Sequence, residues 1–388
     1  MFKDRLEYLL KHYVFIQCVY KYIMSGIFRF IGLFVKTDNN LVLYNSLTGK
    51  PFLDSPGAIY KYLLGNKKYS NLKHVWAFSE PDKIDLPGCS KVKQDSIKYF
   101  ITALRARYWI TNVNIERGLH FKKKNILYLN TWHGVSFNTI GNSVPERNDY
   151  NCTNVDFFCY ESEYHKNILI RDLIIREEAM LKSGLPRNDE LYNVSTEIIL
   201  ALKKSLNLPL DKKIILYAPT WRDSEDMGKD YTLILPIDFN IWEKNMGKDY
   251  IVLLRTHHFT TKLINVTFND FVRDFTSYPR INDLFKVSDI LISDYSACIA
   301  DFSILERPVI CFAYDYDTYK DKRGLYIDLD KEMPNGIMKT EADVVNHIIT
   351  LDYRAECKKT KEMIKDKYTY IGGHATEICV NKMFAIDK

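Results

Sequence analysis

One pattern constrains this chain more than any other: short runs rich in β-branched and aromatic residues, each followed by a helix-length polar segment. After Lys36, LVLYNS (41–46), HVWAFS (74–79), YWITNV (108–113), ILYLNTW (126–132) and DFFCYES (156–162) read as strands, with helices near 56–64, 95–106 and 163–180. Runs that are apolar throughout belong to strands covered on both faces, and an intervening helix is the crossover that a parallel sheet needs. The pattern stops at SGLPRNDELYN (183–193), where Pro186 biases Leu185 away from helix. It restarts with KIILYAPTW (213–221), YIVLLRTHH (250–258), DILISDYS (289–296) and PVICFAYD (308–315), with helices near 194–206, 240–247 and 296–306. The expectation is an α/β chain of two Rossmann-like, doubly wound domains facing a cleft, over residues 37–190 and 191–388. Three helical patterns follow Ala342, ending with TEICVNKMFAI (376–386); in two-lobed folds of this kind a last helix often packs back on the first domain, which the sequence itself does not show.

The bulk numbers agree with two ordered domains. The chain has 388 residues, 46% hydrophobic and 27% charged, too long for one ordinary core and too apolar for extensive disorder. A net charge of +5 suits an anionic substrate or a lipid headgroup surface. No dense Lys/Arg cluster with interleaved aromatics stands out, so nucleic acid is not an expected partner. The eight cysteines form no CxxC pair, and Cys311 sits within the apolar run VICFAY, which points to buried reduced thiols and a reducing cytosol. Residues 1–36 are the one stretch that could meet a membrane. From Tyr13 to Val35, Phe15, Val19, Ile23, Ile27 and Ile31 recur every four positions, with Lys11, Lys21 and Arg29 as cations. Central charges oppose a membrane span. An amphipathic helix lying on anionic lipid is the first reading, and a helix buried in the first domain is its rival.

Ligands of open parallel sheets bind at the carboxyl ends of strands, and four polar clusters fall there. Trp132-His133-Gly134 follows ILYLNT; a neutral histidine can take a hydroxyl proton near neutral pH, and Gly134 permits close approach of backbone or phosphate. Arg255-Thr256-His257-His258 follows YIVLL, where Arg and His together suit a pyrophosphate. At Ser293-Asp294-Tyr295-Ser296, a strand runs into a helix start, with Ser296 as N-cap and phosphate ligand; Asp301 lies further along that helix. In Ala218-Pro219-Thr220-Trp221-Arg222-Asp223, Trp221 could wall a nucleotide pocket or belong to the core. Singly each reads equally well as structural; together they outline a cleft for a nucleotide diphosphate donor. No P-loop, GxGxxG turn, nucleophile elbow or paired-acid metal site is present in the sequence, so no metal is expected.

In order along the chain, LNTWHG (129–134), SGLPRND (183–189), ILYAPTWRD (215–223), LLRTHH (253–258), SDILISDYSACIADFSILERPVICFAYDYDTY (288–319) and Arg323-Gly324-Leu325-Tyr326 resemble the CDP-glycerol glycerophosphotransferases of teichoic acid synthesis. The resemblance runs over roughly residues 40–385 and implies a GT-B fold and a peripheral enzyme at the cytoplasmic face of a bacterial membrane. By resemblance His133 and His257 are the essential histidines, and Asp294, Ser296 and Arg323 lie near the donor's phosphates. Arg255, Trp221 and Gly134 complete the expected donor site. The implied reaction moves glycerol phosphate from CDP-glycerol, a substrate and not a cofactor, to a polyprenyl-diphosphate-linked saccharide or polymer, with CMP leaving. The chain departs from the family where lysines usually follow WHG, here Asn138 and Thr139, and at Gly372-Gly373 in place of an Asp-Gly pair. Both departures bear on the acceptor, so ribitol phosphate, a capsule polymer and single addition in place of processive polymerisation stay open. A GT-B glycosyltransferase using a nucleotide sugar is the other enzyme reading, but it usually carries an E-x(7)-E pattern that is not found here.

Overall fold

A computed structural model describes residues 13–47, 49, 53–145, 147, 149–220, 222, 232–256, 262–264, 266–364, 367–368 and 372–385. Its first lobe is a parallel sheet of β1 (Asp38–Asn45), β2 (Lys73–Phe78), β3 (Ser90–Lys93), β4 (Ala106–Thr111), β5 (Leu127–Asn130), β6 (Phe157–Tyr160) and β7 (Met180–Lys182), in the order 3-2-1-4-5-6-7. The second lobe orders its parallel strands 12-10-8-13-14-15. These are β8 (Lys213–Tyr217), β10 (Tyr250–Leu254), β12 (Val272–Asp274), β13 (Ile290–Ser293), β14 (Val309–Phe312) and β15 (Ile337–Met338). The short β9 (Thr232–Ile234) and β11 (Lys262–Ile264) pair with each other.

The helices of the first lobe are α1 (Val14–Phe34), α2 (Asp54–Gly65), α3 (Ile97–Arg105) and α4 (Glu163–Leu173). Those of the second are α5 (Thr196–Ser205), α6 (Phe239–Met246), α7 (Ile281–Val287), α8 (Cys298–Ser303), α9 (Tyr316–Arg323), α10 (Leu329–Glu332), α11 (Glu341–Ile349) and α12 (Tyr353–Ile364), before α13 (Ala375–Phe384) returns to the first. The strand composition explains the layers. Leu41 and Leu43 of β1 enter one core while Val42 and Tyr44 enter the core on the opposite face. Ile214 and Leu216 of β8 are divided in the same way from Ile215 and Tyr217. Successive side chains of a strand point to opposite faces, so a run apolar throughout is what a sheet buried on both sides requires. The result is the expected GT-B arrangement of two Rossmann-like sheets.

One difference from the sequence-based expectation has a local cause. The helix expected over 163–180 ends at Leu173, because Ile174 takes a left-handed conformation (φ 52°) and the chain then turns into β7. Cys379, Val380 and Met383 of the last helix lie in the first lobe's core with Ile59 and Leu63.

Helix α1 packs one side on the first lobe and leaves the other exposed. Phe28 stacks on Phe100 at 4.4 Å, and Gly32 lets the helix close on Leu104. On its other side Phe15, Tyr22, Phe30, Leu33 and Phe34 are each more than 60% exposed, a cluster of large apolar side chains on one helix. Among the described residues no helix is long and apolar enough to cross a membrane.

Candidate active site

The strand order reverses between β1 and β4 in one sheet and between β8 and β13 in the other, and the carboxyl ends beside such points are where ligands bind. Past β5, the Asn130 side-chain oxygen accepts the Trp132 N–H at 2.9 Å, and the Thr111 carbonyl accepts the Thr131 N–H at 2.8 Å. The turn forces Trp132 to φ 53°, a costly conformation for a residue with a side chain, and carries His133 out to the solvent of the cleft. His133 Nδ1 lies 2.8 Å from the Asn112 carbonyl. A carbonyl only accepts, so Nδ1 holds the hydrogen and the free lone pair is on Nε2. Solvent reaches the ring, yet the cleft walls crowd it; this desolvation lowers its pKa below the usual histidine value, and the Arg187 charge adds to it against the Asn112 bond and Asp54. Near pH 7 the ring is neutral and can accept a proton.

Beneath His133 lies a buried charge cluster that joins the lobes. Arg187 donates to Asp54 of α2 at 2.6 Å and to Asp301 of α8 at 2.6 Å, and Asn188 donates to the other Asp301 oxygen at 2.6 Å. Asp301 is therefore a buried partner of the hinge. Glu161, at the end of β6, and His165 of α4 are also buried, and neither side chain has a hydrogen-bond partner among the described residues. Three carboxylates around one guanidinium cannot all stay ionised in a dry site. Burial pushes Glu161 well up, with the charge of Asp301 adding to it, and pushes Asp301 up, with the charge of Asp54 adding to it. For Asp54 burial opposes ionisation, but Arg187 and the Ser55 N–H outweigh it and hold the pKa down. Burial lowers His165 to about 3.

Gly134 has a different reason from the one expected. A Cβ there would lie 2.7 Å from Ala297 Cβ and 3.3 Å from Arg187 Nη2, at φ 141°. The space is taken by the opposite lobe, not left for a phosphate.

At the second switch point Asp294 is also corrected as a direct donor ligand. It is 1% exposed, and its carboxylate accepts from the Thr220 N–H (2.9 Å) and hydroxyl (2.5 Å), from Arg222 (2.9 Å) and from the Tyr295 N–H (2.8 Å). It organises the pocket through Arg222, which also pairs with Asp315 and lies over the rings of Tyr295, Tyr314 and Tyr319. The sequence reading passed over Arg222; its adjacency to Asp223 in a polar turn hid an aromatic-lined burial. Ser296 is half-buried and its hydroxyl accepts the Cys298 N–H at 3.3 Å, one residue before α8 is capped by Ala297. Arg323 is half-buried beside Tyr319. Trp221 and His257 lie outside the described residues.

Between the lobes at the hinge is a cavity of about 330 Å³, walled by Asp54, Lys61, Arg187, Glu190, Arg255 and Arg280 among others. Arg187 and Arg280 are neutralised by carboxylates, Arg280 by Glu190 and Asp283. Arg255, leaving the end of β10, has no carboxylate partner among the described residues. Among them its guanidinium makes one long 3.5 Å contact, to the Tyr278 carbonyl, its Nε is buried without a partner, and burial lowers its pKa. An anion is what this guanidinium lacks. No cluster of His, Cys, Asp and Glu suited to a metal occurs among the described residues.

Comparison with known proteins points to one family. The family profile described as CDP-Glycerol:Poly(glycerophosphate) glycerophosphotransferase matches residues 27–385. The chain is 34% identical to the teichoic acid poly(glycerol phosphate) polymerase of Staphylococcus epidermidis over 82% of its own length, spanning about half (47%) of that relative. It is 32% identical to the teichoic acid glycerol-phosphate transferase of Staphylococcus aureus, over 86% of this chain and 90% of the relative. A solved structure of the wall teichoic acid polymerase TagF, a variant soaked with CDPG, matches with TM-score 0.81 at 30% identity, covering 95% of each chain.

Proposed function

The chain belongs to the CDP-glycerol:poly(glycerophosphate) glycerophosphotransferase family, and from that premise we propose that it transfers glycerol phosphate from CDP-glycerol to a hydroxyl of a lipid-linked wall or capsule polymer. One observation carries the reading: His133, with its Nε2 lone pair free, lies within electrostatic reach of Asp54 and Arg187, and those two line the hinge cavity together with Arg255, a half-buried guanidinium with no carboxylate partner among the described residues. The acceptor oxygen attacks the glycerol-bearing phosphorus, its proton passes to His133 Nε2, and the phosphoanhydride bond breaks to release CMP. Arg255 and Arg323 hold the charge that builds on the diphosphate. Ser296 and, by family resemblance, His257 and Trp221 belong to the same donor site. The first lobe, residues 37–190, presents the acceptor, and the second, 191–388, holds the donor.

The exposed apolar face of α1 seats the enzyme on the inner surface of the membrane that carries the acceptor. Glycerol phosphate is preferred to ribitol phosphate because the TagF variant that the chain matches over 95% of its length is one soaked with CDPG. The test is a donor screen. Purified protein with CDP-glycerol, CDP-ribitol and UDP-sugars is expected to release CMP from CDP-glycerol, and His133→Ala to lower kcat by about 10²–10⁴-fold with the fold retained. Release of UDP instead would make it a glycosyltransferase.

A further inference from the structure

The loop that carries His133 does not stay in its own lobe. Trp132, one residue before the histidine, is packed in the first lobe's core. Val135 and Phe137, two and four residues after it, are fully buried in the second lobe's core, with Tyr295, Tyr319 and Tyr368 in the same cluster. From there the strand-like segment 137–140 pairs antiparallel with 324–326. The Phe137 carbonyl accepts the Tyr326 N–H at 2.8 Å, the Gly324 carbonyl accepts the Thr139 N–H at 3.2 Å, and Asn138 bridges Leu325. Side chains lock the crossing. The Thr139 hydroxyl donates to the carbonyl of Arg323 itself. Tyr326 accepts the Ile140 N–H at 2.9 Å and donates to Asp172 at 2.5 Å, and Asp172 is held in turn by Arg171 and Ser143. Gly324, at φ 75°, is required, since a Cβ there would lie 2.9 Å from Thr139 Cγ2.

We propose that Thr139 and Tyr326 are positioning residues for the transfer: through this strap they fix Arg323 of the second lobe against His133 of the first. Neither touches substrate; each acts through Arg323, so the inference rests on the donor reading above. The Thr139 hydroxyl is thereby spent on the Arg323 carbonyl. Opening of the lobes would have to pull Val135 and Phe137 out of a core, so the cleft works with both walls at a set separation.

The test has two arms. In steady-state CMP release, Thr139→Val removes the hydroxyl at nearly constant volume and should raise KM for CDP-glycerol about fivefold, the worth of one hydrogen bond. Its kcat and Tm should be nearly unchanged, Thr139→Ser should restore KM, and Tyr326→Phe should act in the same direction. In an Arg323→Ala background the Thr139→Val effect should vanish, because the two belong to one pathway. In the second arm, amide exchange of the 320–328 segment should accelerate in Thr139→Val without any substrate present. An unchanged KM together with unchanged exchange overturns the proposal. If wild-type protein releases no CMP from CDP-glycerol while exchange still spreads from Thr139 to the Arg323 segment, the strap stands and the donor reading falls.

Discussion

At the scale of single residues, His133 and His165 behave differently because the first meets solvent and the second is buried. The His133 pKa is lowered by desolvation and by Arg187, so the neutral, proton-accepting form persists below the ordinary value of about 6.5. The acid limb of kcat/KM is therefore expected below pH 6.5, read from CMP release across pH 5–8; a limb above pH 7 would mean that His133 is not the base. His165 is silent in catalysis but not in stability. Burial puts its folded pKa at about 3, whereas the unfolded chain takes up that proton near 6.5. The folded pKa is the lower one, so its contribution is full above pH 6.5 and is lost as the pH falls toward 3. Urea midpoints measured at pH 7.0 and 4.5 should drop less in His165→Gln than in wild type. An equal drop would show that this histidine is protonated in the fold.

The elements that sequence made legible are those whose burial is complete. Strands β1, β4, β8, β10 and β13 are covered on both faces and wrote their burial as unbroken apolar runs. Strand β3 (SKVK) and β12 (VRD) lie at sheet edges and are mostly polar, so nothing marked them. The site divides in the same way. His133 and Arg255 follow apolar strands and could be placed at once, but the importance of Arg187 depends on Asp54 and Asp301, which lie 133 and 114 positions away. Helix α1 shows a subtler limit. Its periodic stripe was visible, but the disposition of its cations was not: Arg29 donates to the His120 carbonyl at 2.6 Å and Lys21 lies 3.9 Å from Asp149, both turned toward the first lobe. Membrane attachment through α1 should then be driven by apolar area more than by charge. Replacing Phe30, Leu33 and Phe34 with Ser should abolish co-sedimentation with vesicles, while raising the salt concentration weakens wild-type binding only slightly. Binding that survives the triple substitution would assign the exposed face another partner.

On the scale of the whole molecule, each lobe completes its core with chain from across the boundary. Val135 and Phe137 pass into the second lobe, and Cys379, Val380 and Met383 return to the first, where they pack with Leu63 and Leu185. The return is fastened at the hinge: the two carboxylate oxygens of Asp189 accept the Ala375 and Thr376 N–H groups at 2.8 Å, a charge-assisted cap on α13. Arg187 adds a buried bridge between Asp54 and Asp301. Two sheets that share segments in this way should unfold together, so wild-type protein is expected to show one thermal transition by circular dichroism. Removing residues 374–388 tests the coupling from one side. Loss of Val380 and Met383 alone forfeits about 3–6 kcal/mol of apolar burial, a large part of the roughly 5–15 kcal/mol that holds a domain folded. That loss falls on the first lobe, because the second lobe's two cores contain no residue of α13. The truncated chain should therefore melt in two steps, the first well below the wild-type Tm and the second close to it. A single transition at the wild-type temperature would show that α13 is an appendage and that the lobes are joined by the strap and hinge alone.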